Sequence, residues 1–297
     1  MRPHIYGQPV SKENLRQLQM NELAILIEVD RICRKYHIEY SLFGGTLLGA
    51  VRHGGFIPWD DDVDVVFSRK EYLRFRKACQ KELTHSNFFL QDHTTDPNYP
   101  WGYEKMRLLG TQMTRPGQEH IKCHGEVYID IFVMDNVPDP WFFRQVHFFI
   151  CFLIRKFLYA ELGMVAEKNP LKRAMYALMF RCIPRQKVFQ FRDRIAAACN
   201  RRPSRLIRHM TYPHPKRSKY GFPAECQSAF RDIPFEGFIF RCYQETDLYL
   251  KYHYGIYNKY PPKEHQRPQL TIGKLALLPP EKLFAETELQ RLHWTLE

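Results

Sequence analysis

Residues 43–67, Phe-Gly-Gly-Thr-Leu-Leu-Gly-Ala-Val-Arg-His-Gly-Gly-Phe-Ile-Pro-Trp-Asp-Asp-Asp-Val-Asp-Val-Val-Phe, set a glycine turn just upstream of four aspartates in a strand-like run. In an extended segment side chains alternate between faces, so Asp60, Asp62 and Asp64 are expected to point one way and Asp61 the other. Three carboxylates on one face repel each other and resist joint ionisation unless a divalent cation lies between them. Hard oxygen ligands of this kind suit Mg²⁺ or Mn²⁺. That is the layout of a metal-dependent phosphoryl-transfer site. Asp130 adds a further acid, set between Ile129 and Ile131 in an apolar run. It is either a solvent-facing residue on a half-buried strand or, if its strand lies beside the first, the completing member of a metal-binding set Asp60, Asp62, Asp64 and Asp130. In the second case it could also accept the proton of an attacking hydroxyl. Gly44, Gly45 and Thr46 either bring backbone N–H groups close to a phosphate at a helix N-terminus or make a plain turn.

These residues need elements to hold them. The spacing of Leu15, Leu18, Glu22, Leu26, Val29, Ile32 and Cys33 predicts a helix over 11–36 in which all but Glu22 share an apolar stripe. A short strand over 38–43 ends at the Gly44-Gly45 turn, Thr46 caps a short helix, and Gly54-Gly55 with Pro58 breaks the chain before the aspartates. Ser68-Arg-Lys-Glu71 reads as a capping box opening a helix through Leu83. Strands are expected at 88–91, 105–109 and 127–133, with a loop over 92–103. Helices are expected at 141–159, 171–182 and 187–199, then at 243–254 and 280–296. The fold class is α+β: a mixed sheet flanked by helices over 1–140, a helical insertion over 141–220, and a segment over 221–297 that returns to the core.

With 297 residues, 44% of them hydrophobic, the chain can bury one large core or two modest ones, which excludes a disordered protein. Its eight cysteines form no C-x-x-C pair and no signal-peptide pattern opens the chain, so a reducing, cytoplasmic setting is expected. The net charge of +12 is uneven: between Trp141 and Tyr220, 18 Lys and Arg face three acids, leaving −3 for the remainder. Such a surface could meet nucleic acid, anionic lipid or a polyanionic substrate. The apolar run 146–154 in that segment is too short to span a bilayer core, which takes about 20 helical residues. It reads equally as a buried core helix or as a helix lying in a membrane interface.

The run from Gly44 to Asp64 resembles the motif of the LicD family, which includes bacterial phosphocholine transferases and is related to the eukaryotic fukutin-type enzymes. The likeness continues in Lys105-Met-Arg107 with Thr111, in Ile129-Asp-Ile-Phe132 followed by Asp135, and in Tyr254-Gly255 ahead of Pro261-Pro262 and Arg267. It covers about residues 20–135 and 230–270. The family sets acidic residues and then Arg and His after Pro-Pro, whereas this chain reads Pro261-Pro-Lys-Glu-His-Gln-Arg267, with His265 ahead of the arginine. The resemblance implies a nucleotidyltransferase-like fold in which Asp62 and Asp64 are the paired metal-binding carboxylates, Asp60 a neighbouring acid and Asp130 the third carboxylate. It also implies a reaction: a phospho-alcohol, typically phosphocholine, moves from a CDP-linked donor such as CDP-choline to a hydroxyl of a glycan or teichoic-acid precursor, releasing CMP.

Lys105 is then expected beside the catalytic acids, with Arg52, Arg107 and Arg267 as cations for the donor phosphates, each of which could equally be an ordinary surface charge. Trp59, Tyr99, Trp101 and Tyr103 could form an aromatic cage for a choline head group or simply pack in the core. His120, Cys123 and His124 match no structural zinc spacing, and neither a G-x-x-x-x-G-K-[ST] loop nor a G-x-S-x-G elbow occurs. Two other readings are a nucleotidyltransferase that uses an NTP, and a binding protein for nucleic acid or anionic membrane with a vestigial acidic site. Of these, a nucleic-acid partner leaves the Gly, Asp and Lys positions unexplained.

Overall fold

The computed structural model describes residues 8–292. Its long first helix, Lys12–Lys35, starts at Ser11, whose hydroxyl accepts the Asn14 N–H at 3.2 Å, and ends with Arg34 and Lys35 at the negative end of the helix dipole. It buries Leu18, Ile25, Leu26, Val29 and Ile32 against the sheet. The helix Arg69–Glu82 is capped by Ser68, which accepts the Glu71 N–H. The reciprocal half of that capping box is not made, because the Glu71 carboxylate accepts from the Glu39 N–H instead.

The central sheet runs in the order Ser41–Leu42, Asp64–Ser68, Val127–Val137, Glu104–Leu108, Phe88–Gln91. Asp64–Ser68 is parallel to Val127–Val137 and the other neighbours are antiparallel, which makes the sheet mixed, as expected of an α+β fold. Val65, Phe67, Met106, Leu108, Ile129 and Ile131 form the core of one face. The far end of Val127–Val137 pairs with Leu206–Arg208, which pairs in turn with Phe222–Pro223, so the end of the basic segment extends the sheet.

That segment contains helices Trp141–Leu158, Ala160–Ala166, Pro170–Cys182 and Arg185–Cys199 around a small core of Cys151, Ile154, Leu158, Val188, Phe189 and Met210. Buried polar contacts fasten it to the sheet. Arg192 donates to the Gly102 carbonyl at 2.8 Å, and the Asn200 amide donates to Asp135, which Arg69 grips with two hydrogen bonds. The last segment returns as the hairpin Phe230–Phe235 and Phe238–Tyr243 and the helix Thr246–Tyr254. At the hairpin turn Glu236 accepts the Phe56 N–H and pairs with Arg16.

Four local expectations differ from the structure. The aspartate run is extended only from Asp64 onward, because Pro58 and a turn closed by the Asp60 N–H on the Ile57 carbonyl shape the approach. The strand expected over 38–43 is confined to Ser41–Leu42. Thr46 does not cap its helix: Gly44–His53 begins at Phe43, and the Thr46 hydroxyl accepts the Asp64 N–H at 2.9 Å. The helix expected over 280–296 is a short turn, Pro280–Lys282, and a helix Glu286–Arg291; residues 293–297 lie outside the described ones.

Candidate active site

Strand register assembles the site. Asp64 lies directly opposite Asp130, Asp130 opposite Lys105, and Lys105 opposite Gln91, so one row across four strands carries two acids, a cation and an amide. Directly opposed residues project from the same face of a sheet. Lys105 is buried, ion-paired with Asp130, and its ammonium stands 3.1 Å from the centre of the Tyr128 ring and 5.1 Å from that of Tyr103. Burial pulls its pKa down to about 7 against the opposing pull of Asp130, with Arg107 adding to the fall. Arg107 is also buried and donates to the Gln91 side chain at 2.6 Å and to the Glu126 carbonyl.

The other two acids reach the row from the irregular approach. A Cβ on Gly44 would stand 2.8 Å from an Asp64 carboxylate oxygen, and one on Gly45 2.5 Å from an Asp60 oxygen. The glycine pair is therefore required by the carboxylates that lie over the start of the helix, and Gly44 also has φ +53°. The Gly44 N–H is fixed by donating to the Tyr249 hydroxyl at 3.2 Å. Asp61 accepts the Leu270 N–H at 2.6 Å, anchoring the returning segment.

Electrostatics single out the cluster. Burial raises the pKa of Asp60 and Asp64 well above the ordinary carboxylate range, and Asp62 adds to both shifts by repulsion. Asp62 itself is pushed up to about 6 by burial, Asp61 and Asp130, against the opposing pull of Arg115 and Lys105. Among the described residues no ion pair or protein hydrogen bond reaches the carboxylates of Asp60, Asp62 or Asp64. Half-buried like charges with no cation paired directly to them favour a bound cation, and their oxygens are the ligands a hard divalent ion prefers. In the present side-chain arrangement no three His, Cys, Asp or Glu side chains among the described residues meet closely enough to enclose one. Lys105 meanwhile holds Asp130.

Beside Lys105 opens a cavity of about 190 Å³ lined by Arg107, Arg115, Trp101, Tyr103 and Tyr128. Its cations and aromatic rings suit an anionic ligand with a flat ring. The structure does not bring every expected residue there. Arg52 donates to the Tyr257 carbonyl and lies over the Tyr260 ring. Arg267 and His265 are exposed, in and just after a short turn. The four aromatics do not converge into one cage: Trp59 packs near Tyr260, Tyr99 is fully buried against Trp101, and Tyr103 lies against Phe132.

Sequence reasoning missed several neighbours. Glu22, set apart from the apolar stripe, is fully buried within it, and neither carboxylate oxygen has a hydrogen-bond partner. Burial raises its pKa, as do the nearby Asp62, Asp61, Asp60 and Asp130. A charge at an apolar helical position was the available signal. Arg115 and Tyr212 also sit within electrostatic reach of the aspartates, and no local pattern distinguishes them; Tyr254, part of the family likeness, lies within the same reach.

Comparison with known proteins shows which family the sequence resembles. Residues 37–143 match the family described as LicD/FKTN/FKRP, nucleotidyltransferase domain. The chain is 30% identical over 277 residues, 87% of its length and 97% of the relative's, to the lipopolysaccharide cholinephosphotransferase LicD of Haemophilus influenzae. It is also 36% identical over 147 residues, half of each chain, to an uncharacterized protein of Rickettsia prowazekii.

Proposed function

Because this chain belongs to the LicD family, whose Haemophilus influenzae member is a lipopolysaccharide cholinephosphotransferase, we propose that it transfers a phospho-alcohol, phosphocholine foremost, from a CDP-linked donor to a hydroxyl of a cell-surface glycan or teichoic-acid precursor. The observation that carries the reading is the row Asp64, Asp130, Lys105, with Asp60 and Asp62 alongside and no cation paired directly to three of the four acids.

The acceptor oxygen forms a bond to the phosphorus that carries the alcohol, the bond from that phosphorus to the bridging oxygen of the donor breaks, and CMP leaves with the electron pair. The hydroxyl proton passes to the Asp130–Lys105 pair, whose ammonium has a pKa of about 7 and so exchanges protons near neutrality. Arg107 and Arg115 in the adjoining cavity face the anionic donor. Their fixed positions favour charge that develops on the leaving phosphate. The Tyr249 hydroxyl and the glycine pair hold the helix start against the acids. Asp60, Asp62 and Asp64 would hold Mg²⁺ or Mn²⁺, which when bound neutralises the donor pyrophosphate. All eight cysteines are free thiols, in keeping with a cytoplasmic site of action.

Product analysis tests the proposal. With CDP-choline, a glycan acceptor and Mg²⁺, CMP and a phosphocholine ester should appear in equal amounts. Release of pyrophosphate from an NTP, with no CMP from CDP-choline, would instead make the chain a nucleotidyltransferase.

A further inference from the structure

The helices of the basic segment bury little of their apolar surface. Along Trp141–Leu158 a single stripe, His147, Cys151, Ile154 and Leu158, faces the protein. Ile150 and Phe157 pack partly against the same core, while Phe143, Phe149, Phe152 and Leu153 point outward, with Trp141 71% and Phe142 64% exposed. Pro170–Cys182 buries only Tyr176 among its side chains, while Leu171 and Leu178 on one side are 80% and 63% exposed. The two helices are joined at Tyr176, which accepts the Lys156 ammonium at 3.1 Å and meets Tyr159 edge to face. Apolar surface of this extent on a chain that also folds a complete core marks an interaction face.

Charge identifies the occupant. The segment 141–220 carries 18 Lys and Arg against three acids. Lys168, Lys172, Arg181, Lys187 and Arg194 are exposed, and none of them makes an ion pair among the described residues. A second copy of the chain would set this cationic surface against itself. Arg155 and Lys156 lie over the face of Phe152, at 5.8 and 5.6 Å from its centre, so the cations and the rings share one surface. No helix among the described residues is long and apolar enough to cross a membrane. An 18-residue helix lying flat covers about 27 Å, and rings below with ammonium and guanidinium groups at the phosphates is the arrangement of an interfacial helix.

We propose that helices Trp141–Leu158 and Pro170–Cys182 dock the protein on an anionic lipid surface. The aromatic and leucine side chains enter the headgroup boundary, and the unpaired cations meet lipid phosphates. Electrostatic attraction of this kind weakens with salt.

Co-sedimentation of the full chain with vesicles tests this without donor or acceptor, so the result is independent of the proposed reaction. Phosphatidylglycerol-containing vesicles should carry the protein down at 0.1 M salt and pure phosphatidylcholine vesicles should not. Trp141→Ser with Leu171→Ser, both at exposed positions, should keep the melting temperature and lower partitioning at least tenfold. Lys172→Glu with Arg181→Glu should lower it and flatten its salt dependence. Absence of wild-type binding to the anionic vesicles, or equal binding by the serine variant, overturns the proposal. So does sedimentation of the free protein as a dimer that the serine substitutions dissolve, since the face would then be a self-interface.

Discussion

Replacing Asp62 by Asn should stabilise the protein in the absence of divalent cations, and by a large margin. The Asp62 carboxyl rises from an ordinary 3.8 to about 6 because it is buried beside Asp61 and Asp130. A carboxyl that holds its proton more tightly when folded makes the folded state bind more protons than the unfolded one between those two values. Stability therefore falls as pH rises through that window and the full penalty is present above pH 6. At 1.36 kcal/mol for each tenfold change in proton affinity, the penalty is about 3 kcal/mol. Asn cannot ionise, so the variant escapes it. For a chain of this size about 1 kcal/mol moves the midpoint roughly 2–4 °C, so a rise on the order of 5–10 °C is expected at pH 7.5. Thermal or urea unfolding at pH 4, 5, 6 and 7.5 with EDTA should show the gain of the variant vanish at pH 4. Mg²⁺ should raise the midpoint of the wild type and leave the variant nearly unmoved. A variant no more stable than wild type at pH 7.5, or equally stabilised at every pH, would refute the electrostatic reasoning.

Gly45→Ala should lower turnover more than stability, because its methyl would displace the Asp60 carboxylate, a movable side-chain end; steady-state rates beside melting curves separate the two. Gly44→Ala should also destabilise by about 1–3 kcal/mol, since alanine is strained at its positive φ, which urea titration can read. Lys105→Met leaves Asp130 buried without its cation and should reduce CMP release on the order of 100-fold, with circular dichroism confirming the fold. Tyr249→Phe removes the hydroxyl that accepts the buried Gly44 N–H, leaves that donor unpaired, and should cost about 1–3 kcal/mol in urea unfolding.

Much of this architecture could be read from local chemistry. Ser11 and Ser68 cap their helices as their sequence context requires, and the strand Phe88–Gln91 falls where its apolar run ends at a polar loop. The facing of Asp64 and Asp130 could be anticipated because each interrupts an apolar run, Asp64 between Val63 and Val65 and Asp130 between Ile129 and Ile131. What alternation could not supply was the path of residues 60–63, which Pro58 and the contact of Asp61 with Leu270 decide. Thr46 illustrates the same limit: a residue suited to capping bonds instead to the backbone of a neighbouring strand, a tertiary contact across 18 positions. Glu22, Arg115 and Tyr212 come from distant stretches and meet the acids only once the sheet is folded. The apolar run 146–154 could not be assigned from sequence, since a core helix and an interfacial helix share a composition and differ only in what covers them.

Affinity of the acidic cluster for a divalent ion underlies the proposed reaction, and electron paramagnetic resonance of Mn²⁺ measures it directly. Titrated into the wild-type protein with CDP-choline present, Mn²⁺ should lose its free-ion signal in proportion to protein, and Asp64→Asn should abolish that loss while remaining folded. Equal Mn²⁺ binding by wild type and Asp64→Asn, or none by the wild type, would contradict the account.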